Sequence, residues 1–227
     1  MPTVSDNLNL VNQRIASAAQ SSGRLANEVK LVAVAKTATS ADLQEAFGAG
    51  QRLFGHNRVQ ALEEHRQVLP DAEWHLLGPL QGKKVRRGVA ACNIYQALAD
   101  SKTADRIHRV LLGSNKQLDV LIQVNVRPED GRNGLALEDV EAFISKMSCC
   151  HTIKVAGLMN LAVANASGNQ LHADFAQVRR CCETLQTRGL LPANPVLSMG
   201  MSNDFEIAIA EGANLVRVGR AIFPASS

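Results

Sequence analysis

Short apolar runs alternate with longer stretches of helical spacing along most of this chain. The first run, KLVAVAK at residues 30–36, consists of β-branched and small apolar residues, a composition typical of strands that are buried on both faces. On the same criterion we predict eight strands, at residues 30–36, 53–57, 73–78, 93–98, 118–126, 155–163, 196–202 and 215–223. Before and between them the apolar spacing predicts helices at residues 6–21, 40–49, 58–68, 82–91, 101–112, 137–147, 169–188 and 204–211.

Strict alternation of strand and helix implies parallel strand pairing with right-handed crossovers. Eight such units that close on themselves form an α/β fold of the TIM (β/α)8 barrel type, and 227 residues fit its compact form. An open doubly wound sheet alternates in the same way, but it usually carries a glycine fingerprint after its first strand, and residues 35–38 (AKTA) contain no glycine. No linker or repeat divides the chain. We therefore predict a single barrel domain over residues 1–227, with an extra N-terminal helix.

Composition narrows the class of protein. With 46% hydrophobic and 20% charged residues the chain is expected to fold around a core, and no apolar run approaches the roughly 20 residues that span a bilayer. The first twenty residues lack the continuous hydrophobic region of a secretory signal. We expect a cytoplasmic protein without a membrane partner, and a monomer, since no long apolar stripe demands a second subunit.

Charge and cysteine usage add little to this picture. The net charge of +3 is too small to indicate nucleic acid, and the basic segment at residues 83–87 (KKVRR) is more typical of a solvated helix face than of a partner surface. The five cysteines form no C-x-x-C pattern and the histidines no H-x-x-x-H pattern. We expect reduced thiols and no structural metal.

Candidate chemistry is sought where the strands end, because TIM barrels place their active sites at the carboxyl ends of the strands. Lys36 ends the first run, on the same face as Val32 and Val34. A lysine partly desolvated there supplies the neutral amine that attacks an aldehyde to form a Schiff base. A lysine that simply extends to solvent from a strand end is the alternative.

The last two strands suggest an anion site. The segment at residues 198–204 (SMGMSND) runs into a helix, so backbone N–H groups and the Ser202 hydroxyl are available to an anion. The final strand carries Arg217, Gly219 and Arg220, and TIM barrels often bind phosphate after strands 7 and 8. An ordinary N-cap at Ser202 and exposed arginines are the alternative. Together with Lys36, these residues favour a phosphate-bearing aldehyde as ligand.

Five longer motifs extend this pattern across the chain: FGHNRVQ at 54–60, WHLLGPLQ at 74–81, GLM at 157–159, LSMGMSND at 197–204 and VRVGRAIF at 216–223. In order and content they resemble the pyridoxal phosphate homeostasis protein family (YggS/PROSC type), over residues 25–223. The resemblance implies a barrel similar to the N-terminal domain of alanine racemase. It also implies that the protein acts in intracellular vitamin B6 and amino-acid homeostasis, without robust turnover.

The resemblance assigns a cofactor, pyridoxal 5′-phosphate (PLP), held as a Schiff base on Lys36. It implies that Ser202 and the backbone of Gly219 and Arg220 hold the phosphate, and that Arg217 faces the pyridine nitrogen. A guanidinium does not readily release a proton, so the ring nitrogen would stay unprotonated and PLP would be a weak electron sink.

Three further residues complete the implied cofactor site. Asn57 and His75 close neighbouring predicted strands and are expected as pocket walls, and Met199 lies within the LSMGMSND motif. For His75 the alternative is a packed, hydrogen-bonded histidine beside Trp74.

The chain departs from the usual family pattern at several positions: Ala35, His56, Arg58, Arg220 and Pro224. At Arg220 a threonine or serine commonly adds a hydroxyl to the phosphate site, so this change bears on cofactor affinity.

Two enzyme classes remain as rivals. A PLP-dependent racemase needs a second acid/base, which the related racemases take from an extra domain; the single tyrosine, Tyr95, lies early in the fourth predicted strand. A cofactor-free Schiff-base aldolase would use Lys36 directly on a sugar phosphate. A third possibility is a regulatory module that acts through a protein partner, and PLP-dependent apo-enzymes are the partners that a homeostasis role would imply.

Overall fold

The computed structural model describes residues 2–127, 131–163 and 165–224. Within these residues the strands are β1 (Lys30–Val34), β2 (Leu53–His56), β3 (Glu73–Leu76), β4 (Ile94–Leu98), β5 (Leu118–Val124), β6 (Ile153–Asn160), β7 (Val196–Ser198) and β8 (Leu215–Val218). The helices are α1 (Val4–Ser21), α2 (Ser40–Gly48), α3 (Val59–Val68), α4 (Lys84–Ala91), α5 (Ser101–Leu111), α6 (Val140–Lys146), α7 (Gly168–Thr187) and α8 (Phe205–Ala210).

The strands form a closed, entirely parallel barrel in chain order. The closure is made by β1, which pairs with β2 on one side and with β8 on the other, with Lys30 beside Leu215 in register. The predicted TIM barrel is therefore confirmed. All carboxyl ends of the strands meet at one end of the barrel, which fixes where the loops after the strands can cooperate.

The N-terminal helix completes the ring of helices. A capping box between Thr3 and Asp6 starts α1, and its apolar residues face inward at helical spacing. The helix packs on both α2 and α8. It therefore occupies the eighth helix position, the place a helix following β8 would take, rather than lying outside the ring. None of the helices described here is long and apolar enough to cross a membrane.

Several strands end earlier than predicted, most clearly the last two. β7 ends at Ser198 instead of residue 202, and β8 ends at Val218 instead of residue 223. Ile222 and Phe223 are nonetheless fully buried. The longer strand predictions were wrong because these apolar side chains are buried by packing on neighbouring elements and not by pairing in the sheet. The segments concerned are loops at the carboxyl end of the barrel.

Side chains alternate between the helix layer and the barrel interior along each strand. In β1, Leu31 and Ala33 join the hydrophobic core shared with the helices, while Val32 points inward. The interior is crowded there, since a Cβ added at Gly55 of β2 would lie 2.8 Å from Cγ1 of Val32. The barrel is thus a packed core and not a pore, and polar side chains inside it must find partners.

Candidate functional site

Three loops meet at the carboxyl end of the barrel, those that follow β1, β7 and β8. The Arg217 N–H donates to the carbonyl of Gly200 at 3.0 Å, which joins β8 to the loop after β7. The Thr37 hydroxyl donates to the carbonyl of Phe223 at 3.1 Å, which joins the loop after β1 to the loop after β8. Lys36 precedes Thr37 and its side chain is exposed. The closed topology therefore brings Lys36 to the loops after the last two strands.

The loop after β7 has a shape that requires glycine. Gly200 has φ +87°, and a Cβ there would lie 2.7 Å from both Cα of Phe205 and Cβ of Ala208. The Asp204 carboxylate accepts a hydrogen bond from the Met201 N–H at 2.6 Å and so holds the turn closed. Asp204 is the N-cap residue of α8, so the alternative N-cap at Ser202 is wrong.

The two loops after β7 and β8 present unused donors. Within the described parts of the chain, the backbone N–H groups of Ser202, Asn203, Gly219 and Arg220 donate to no protein acceptor. The Arg220 side chain is exposed and makes no ion pair or hydrogen bond with the described residues. Successive N–H groups with nearby positive charge form a concave site suited to an anion such as phosphate.

Gly219 lets the loop after β8 approach the loop after β1. A Cβ added at Gly219 would lie 3.1 Å from the carbonyl oxygen of Val34, a tight contact that only a small shift of one of the two segments would relieve. The glycine thus keeps its own N–H group close to the segment that carries Lys36.

Arg217 is the buried cation of the site. Its side chain is 3% exposed, and its guanidinium donates to Oγ of Ser198 at 2.5 Å and to the carbonyl of Asn160 at 2.7 Å. Burial lowers the pKa of Arg217 from 12.5 to about 10, while the Asp204 carboxylate opposes the shift. The guanidinium therefore stays charged at neutral pH. Oδ1 of Asn160 is buried without a partner in the described structure, so an acceptor is left over beside the arginine.

The structure groups most of the predicted site residues. Lys36, Ser202, Arg217, Gly219 and Arg220 all lie on the three connected loops or on the strand end that leads into them. Their pattern in the sequence predicted this grouping because barrel topology places all strand ends together.

Asn57 lies at the same end, directly after β2, and is exposed. Its carbonyl is closely covered by the loop after β3, since a Cβ at Gly78 would lie 2.1 Å from that oxygen. Asn57 is therefore on the rim at the carboxyl end of the barrel.

Met199 and His75 lie elsewhere. Met199 is fully buried in the hydrophobic core, on the opposite face of the strand end from Ser198, so its side chain packs toward the helices. His75 lies inside the barrel, where it is 1% exposed. It lines a cavity of about 200 Å³ at the amino end, together with residues such as Lys30, Glu73 and Asn214 that begin or precede strands. The alternative expectation for His75, a packed and hydrogen-bonded histidine, describes its environment.

Sequence reasoning missed three buried polar residues that contact one another or Arg217: Gln96, Asn160 and Ser198. The available signal was a polar residue within an otherwise apolar strand, as Gln96 is in β4 (IYQAL). Such residues are expected to be hydrogen-bonded inside the fold, and here their partners are across the barrel.

The departures at His56 and Arg58 lie outside the barrel interior. His56 alternates with the inward-facing Gly55 and packs edge-on against His65 of α3, with ring centroids 5.3 Å apart. Burial, followed by the charge of His65, lowers the pKa of His56 from 6.5 to about 4, so the ring is neutral near pH 7. Arg58 is the exposed N-cap residue of α3.

The basic segment at residues 83–87 belongs to the outer surface. α4 begins at Lys84 and buries Val85 on its inner side, while Arg87 pairs with Glu63 of α3. This arrangement is that of a solvated helix face.

The donor set at the carboxyl end fits a specific kind of ligand. Unpaired N–H groups with Arg220 suit a phosphate, Lys36 suits a carbonyl, and Arg217 suits a neutral ring acceptor. A small phosphorylated aldehyde with an aromatic nitrogen satisfies all three.

Comparison with known proteins points in one direction. A family model described as "Alanine racemase, N-terminal domain" matches residues 7–227. The chain is 36% identical to the pyridoxal phosphate homeostasis protein of Pseudomonas aeruginosa, over 99% of this chain and 96% of that one. It is 34% identical to PipY of Synechococcus elongatus, solved with PLP bound, with a TM-score of 0.80 and coverage of 92% and 99%. Alanine racemase of Corynebacterium glutamicum, at 18% identity, shares the fold with a TM-score of 0.70 over 95% of this chain and 60% of its own.

Proposed function

This chain belongs to the pyridoxal phosphate homeostasis protein family, and on that premise we propose that it binds PLP reversibly on Lys36 and serves the homeostasis of PLP and amino acids. The observation that carries the proposal is the grouping of the exposed Lys36 with the unpaired N–H groups of the loops after β7 and β8 and with the buried Arg217. This set would hold a phosphate, an aldehyde and a ring nitrogen at one end of the barrel.

The phosphate would lie against the loops after β7 and β8. Its oxygens would accept from the N–H groups of Ser202, Gly219 and Arg220 and from the Ser202 hydroxyl, because Asp204 and not Ser202 is the N-cap residue of α8. Arg220 supplies charge from the exposed side in place of the hydroxyl that relatives commonly have there. Backbone donors are fixed by the fold, so they bind without losing side-chain freedom.

Lys36 supplies the amine. When bound, PLP supplies an aldehyde that condenses with a primary amine to a Schiff base and releases water. Lys36 is exposed, and the Thr37 hydrogen bond to Phe223 fixes its loop beside the phosphate loops. Exposure of the amine also leaves it open to water and to competing amines, which favours release as well as capture.

Arg217 would limit the chemistry. Because its pKa stays near 10, the guanidinium would donate a hydrogen bond to the ring nitrogen and keep its own proton. A ring nitrogen held in this way accepts little electron density, so carbanion formation is disfavoured. This residue supports a carrier role over efficient turnover.

The sole tyrosine of the sequence supports the same conclusion. The Tyr95 hydroxyl is buried, donates to the carbonyl of Ala97 at 2.7 Å and accepts from the Leu80 N–H at 3.2 Å. Burial raises its pKa far above the ordinary value of 10. It is therefore unavailable as a second base beside Lys36.

The direct test is a matched pair of lysine variants. Purified wild type incubated with PLP should turn yellow, and borohydride should fix a phosphopyridoxyl group on Lys36, detected by peptide mass spectrometry. Lys36→Ala should abolish both signals. Lys30→Ala, at the amino end of the same strand, should retain both. A colourless wild type, or equal labelling of the two variants, would overturn the cofactor assignment and leave the cofactor-free aldolase as the stronger candidate.

Turnover is tested separately. Racemisation and transamination assays over a panel of amino acids should give rates near background. Sustained turnover that disappears in Lys36→Ala would establish a PLP enzyme instead.

We also propose PLP-dependent apo-enzymes as recipients of the cofactor, and a monomeric state. The exposed large apolar side chains, Leu10, Leu25, Leu112 and Met201, lie on separate segments, which supports a monomer. Mixing loaded protein with an apo-enzyme, with and without a phosphatase that destroys free PLP, distinguishes direct transfer from release into solution. Sedimentation measures the oligomeric state.

A further inference from the structure

A line of hydrogen-bonded side chains crosses the barrel interior beneath the candidate site. From Arg217 it continues through Ser198, where Oγ lies 2.8 Å from Oε1 of Gln96. Nε2 of Gln96 lies 2.6 Å from Nδ1 of His75, and Nε2 of His75 lies 3.0 Å from a carboxylate oxygen of Glu73. The line therefore joins the buried arginine to a carboxylate at the amino end.

The line passes between strands that are not neighbours. Ser198 is on β7 and Gln96 on β4, and two strands separate these in the closed barrel. Their hydrogen bond therefore spans the interior. Gln96 and Ser198 have no exposed surface and His75 is 1% exposed, so these contacts lie within the barrel interior.

The donors along the line all point the same way. An arginine can only donate, so Oγ of Ser198 accepts from it and donates its own hydrogen to Oε1 of Gln96. The amide nitrogen of Gln96 then donates to Nδ1 of His75. Nδ1 must carry no hydrogen, so Nε2 of His75 carries it and donates to Glu73.

Each link thereby fixes the next. If the amide of Gln96 turned over, its nitrogen would face Ser198, which already receives a donor from Arg217, and Ser198 would lose the acceptor that its own hydrogen now uses. If His75 lost its acceptor nitrogen, the amide of Gln96 would lose the partner that sets its orientation. The orientation of the Ser198 hydroxyl toward Arg217 thus depends on residues at the far end of the barrel.

We propose that Gln96 and His75 are positioning residues, which act through Ser198 to hold the Arg217 guanidinium at the angle at which it meets the ring nitrogen of the cofactor. The identity of the ligand rests on the proposed function. The hydrogen bonds that hold Arg217 are present whether or not that function is correct. Apolar residues could fill the interior with fewer constraints, and a fully paired polar line is the arrangement that specifies one orientation.

The test compares two neighbouring residues of β4. Gln96→Leu removes the link and keeps the volume, whereas Tyr95→Phe removes a buried hydroxyl that bonds outside the line, at Leu80 and Ala97. Both should lower the melting temperature. Only Gln96→Leu should shift the absorbance maximum of bound PLP and weaken PLP binding about tenfold, the equivalent of one hydrogen bond to a charged group.

A second pair of variants, at His75, tests the same line in case Gln96→Leu does not fold. His75→Asn keeps an acceptor near the position of Nδ1 and should restore most of the wild-type spectrum, whereas His75→Leu should resemble Gln96→Leu. In the cofactor-free protein, NMR should show faster solvent exchange of the Arg217 guanidinium hydrogens in both leucine variants and unchanged exchange in Tyr95→Phe.

Wild-type absorbance and exchange in both leucine variants, with only the melting temperature reduced, would overturn the proposal. If wild type fails to bind PLP at all, the proposed function fails. The exchange rates in the cofactor-free protein then still support or overturn the positioning role by themselves.

Discussion

The two ends of the barrel differ in how completely their polar groups are paired. At the amino end, side chains that precede strands are bonded to strand backbone: Gln51 to the carbonyls of Leu31 and Leu53, and Asn214 to the N–H of Leu197 and the carbonyl of Pro195. At the carboxyl end, four backbone N–H groups and the side chain of Arg220 make no such bond among the described residues.

This difference indicates that the amino end of the sheet contributes mainly to stability and the carboxyl end mainly to binding. Paired groups at the amino end lock the strand starts to one another, which is what fixes the register of a closed barrel. Unpaired groups at the carboxyl end are carried on loops that the locked strands position. The comparison predicts that changes to amino-end side chains that pair with the backbone, such as Asn214, alter stability with little effect on PLP affinity, and that changes on the loops do the reverse.

The largest expected loss of stability comes from the seam between β6 and β7. A Cβ in Gly157→Ala would lie 1.9 Å from the carbonyl oxygen of Val196, in the ladder itself, where neither backbone can move independently. We expect a loss on the order of 3 kcal/mol in the free energy of unfolding, measured by urea denaturation. The matched control is Gly48→Ala, whose Cβ would meet nothing within 4 Å. Equal stability of the two variants would contradict the account of the seam.

Acid should produce the next largest effect. The pKa of His56 is about 4 in the folded protein and 6.5 ordinarily, so between these pH values the unfolded chain binds a proton that the folded chain does not. Protonation of this histidine therefore costs no stability above about pH 6.5. Between pH 6.5 and pH 4 it lowers the free energy of unfolding by about 3 kcal/mol in total.

The free energy of unfolding, measured across this pH range, should decline less steeply in His56→Gln than in wild type. The half-buried His65 is retained in that variant, and burial also lowers its pKa. Parallel pH profiles for wild type and His56→Gln would assign the acid sensitivity to other groups.

Asn214→Ala tests the amino end directly. It removes the side chain that accepts from the Leu197 N–H at 2.8 Å and donates to the carbonyl of Pro195 at 2.9 Å. We expect about 2 kcal/mol less stability, because two backbone groups lose their partners. PLP affinity, measured by absorbance titration, should stay within twofold of wild type, a change of about 0.4 kcal/mol. A large loss of affinity would mean that the two ends are not separable in this way.

The smallest effect on stability is expected for Arg220→Ala. The side chain is exposed and unpaired among the described residues, so unfolding should change by less than about 0.5 kcal/mol. PLP affinity should nonetheless fall several-fold and become less dependent on salt, since an exposed cation near phosphate is screened. Arg220→Ser tests whether a hydroxyl compensates for the lost charge. Unchanged affinity in both variants would place the side chain away from the phosphate.

Much of this architecture was predictable from the chain itself. Runs such as residues 30–36 predicted eight buried strands because apolar, β-branched segments recur between helical stretches. Barrel topology then placed Lys36, Ser202 and Arg217 at the same end of the barrel. The strand ends were less predictable. Burial of Ile222 and Phe223 looks the same in a sequence whether a sheet or a helix layer covers them.

The line of hydrogen-bonded side chains inside the barrel could not be predicted from the periodicity of the sequence. Alternation shows that Gln96 shares a face with Ile94, but not which residue lies across the barrel from it. The partnership of Gln96 with Ser198 depends on the tilt and stagger of strands 102 residues apart in the chain. Predicting His75 as a pocket wall had the same limit, because a position on β3 did not specify its depth inside the barrel.

The position of α1 has a consequence for when the cofactor can be captured. This helix closes the ring between α8 and α2, and the Asn7 side chain donates to the carbonyl of Ile222, so the start of the chain supports the loop after its last strand. The barrel also closes only when β1 meets β8. Lys36 is therefore synthesised long before residue 220, and the two halves of the candidate site come together only when most of the chain has been made. We therefore expect PLP to bind only after the barrel has closed.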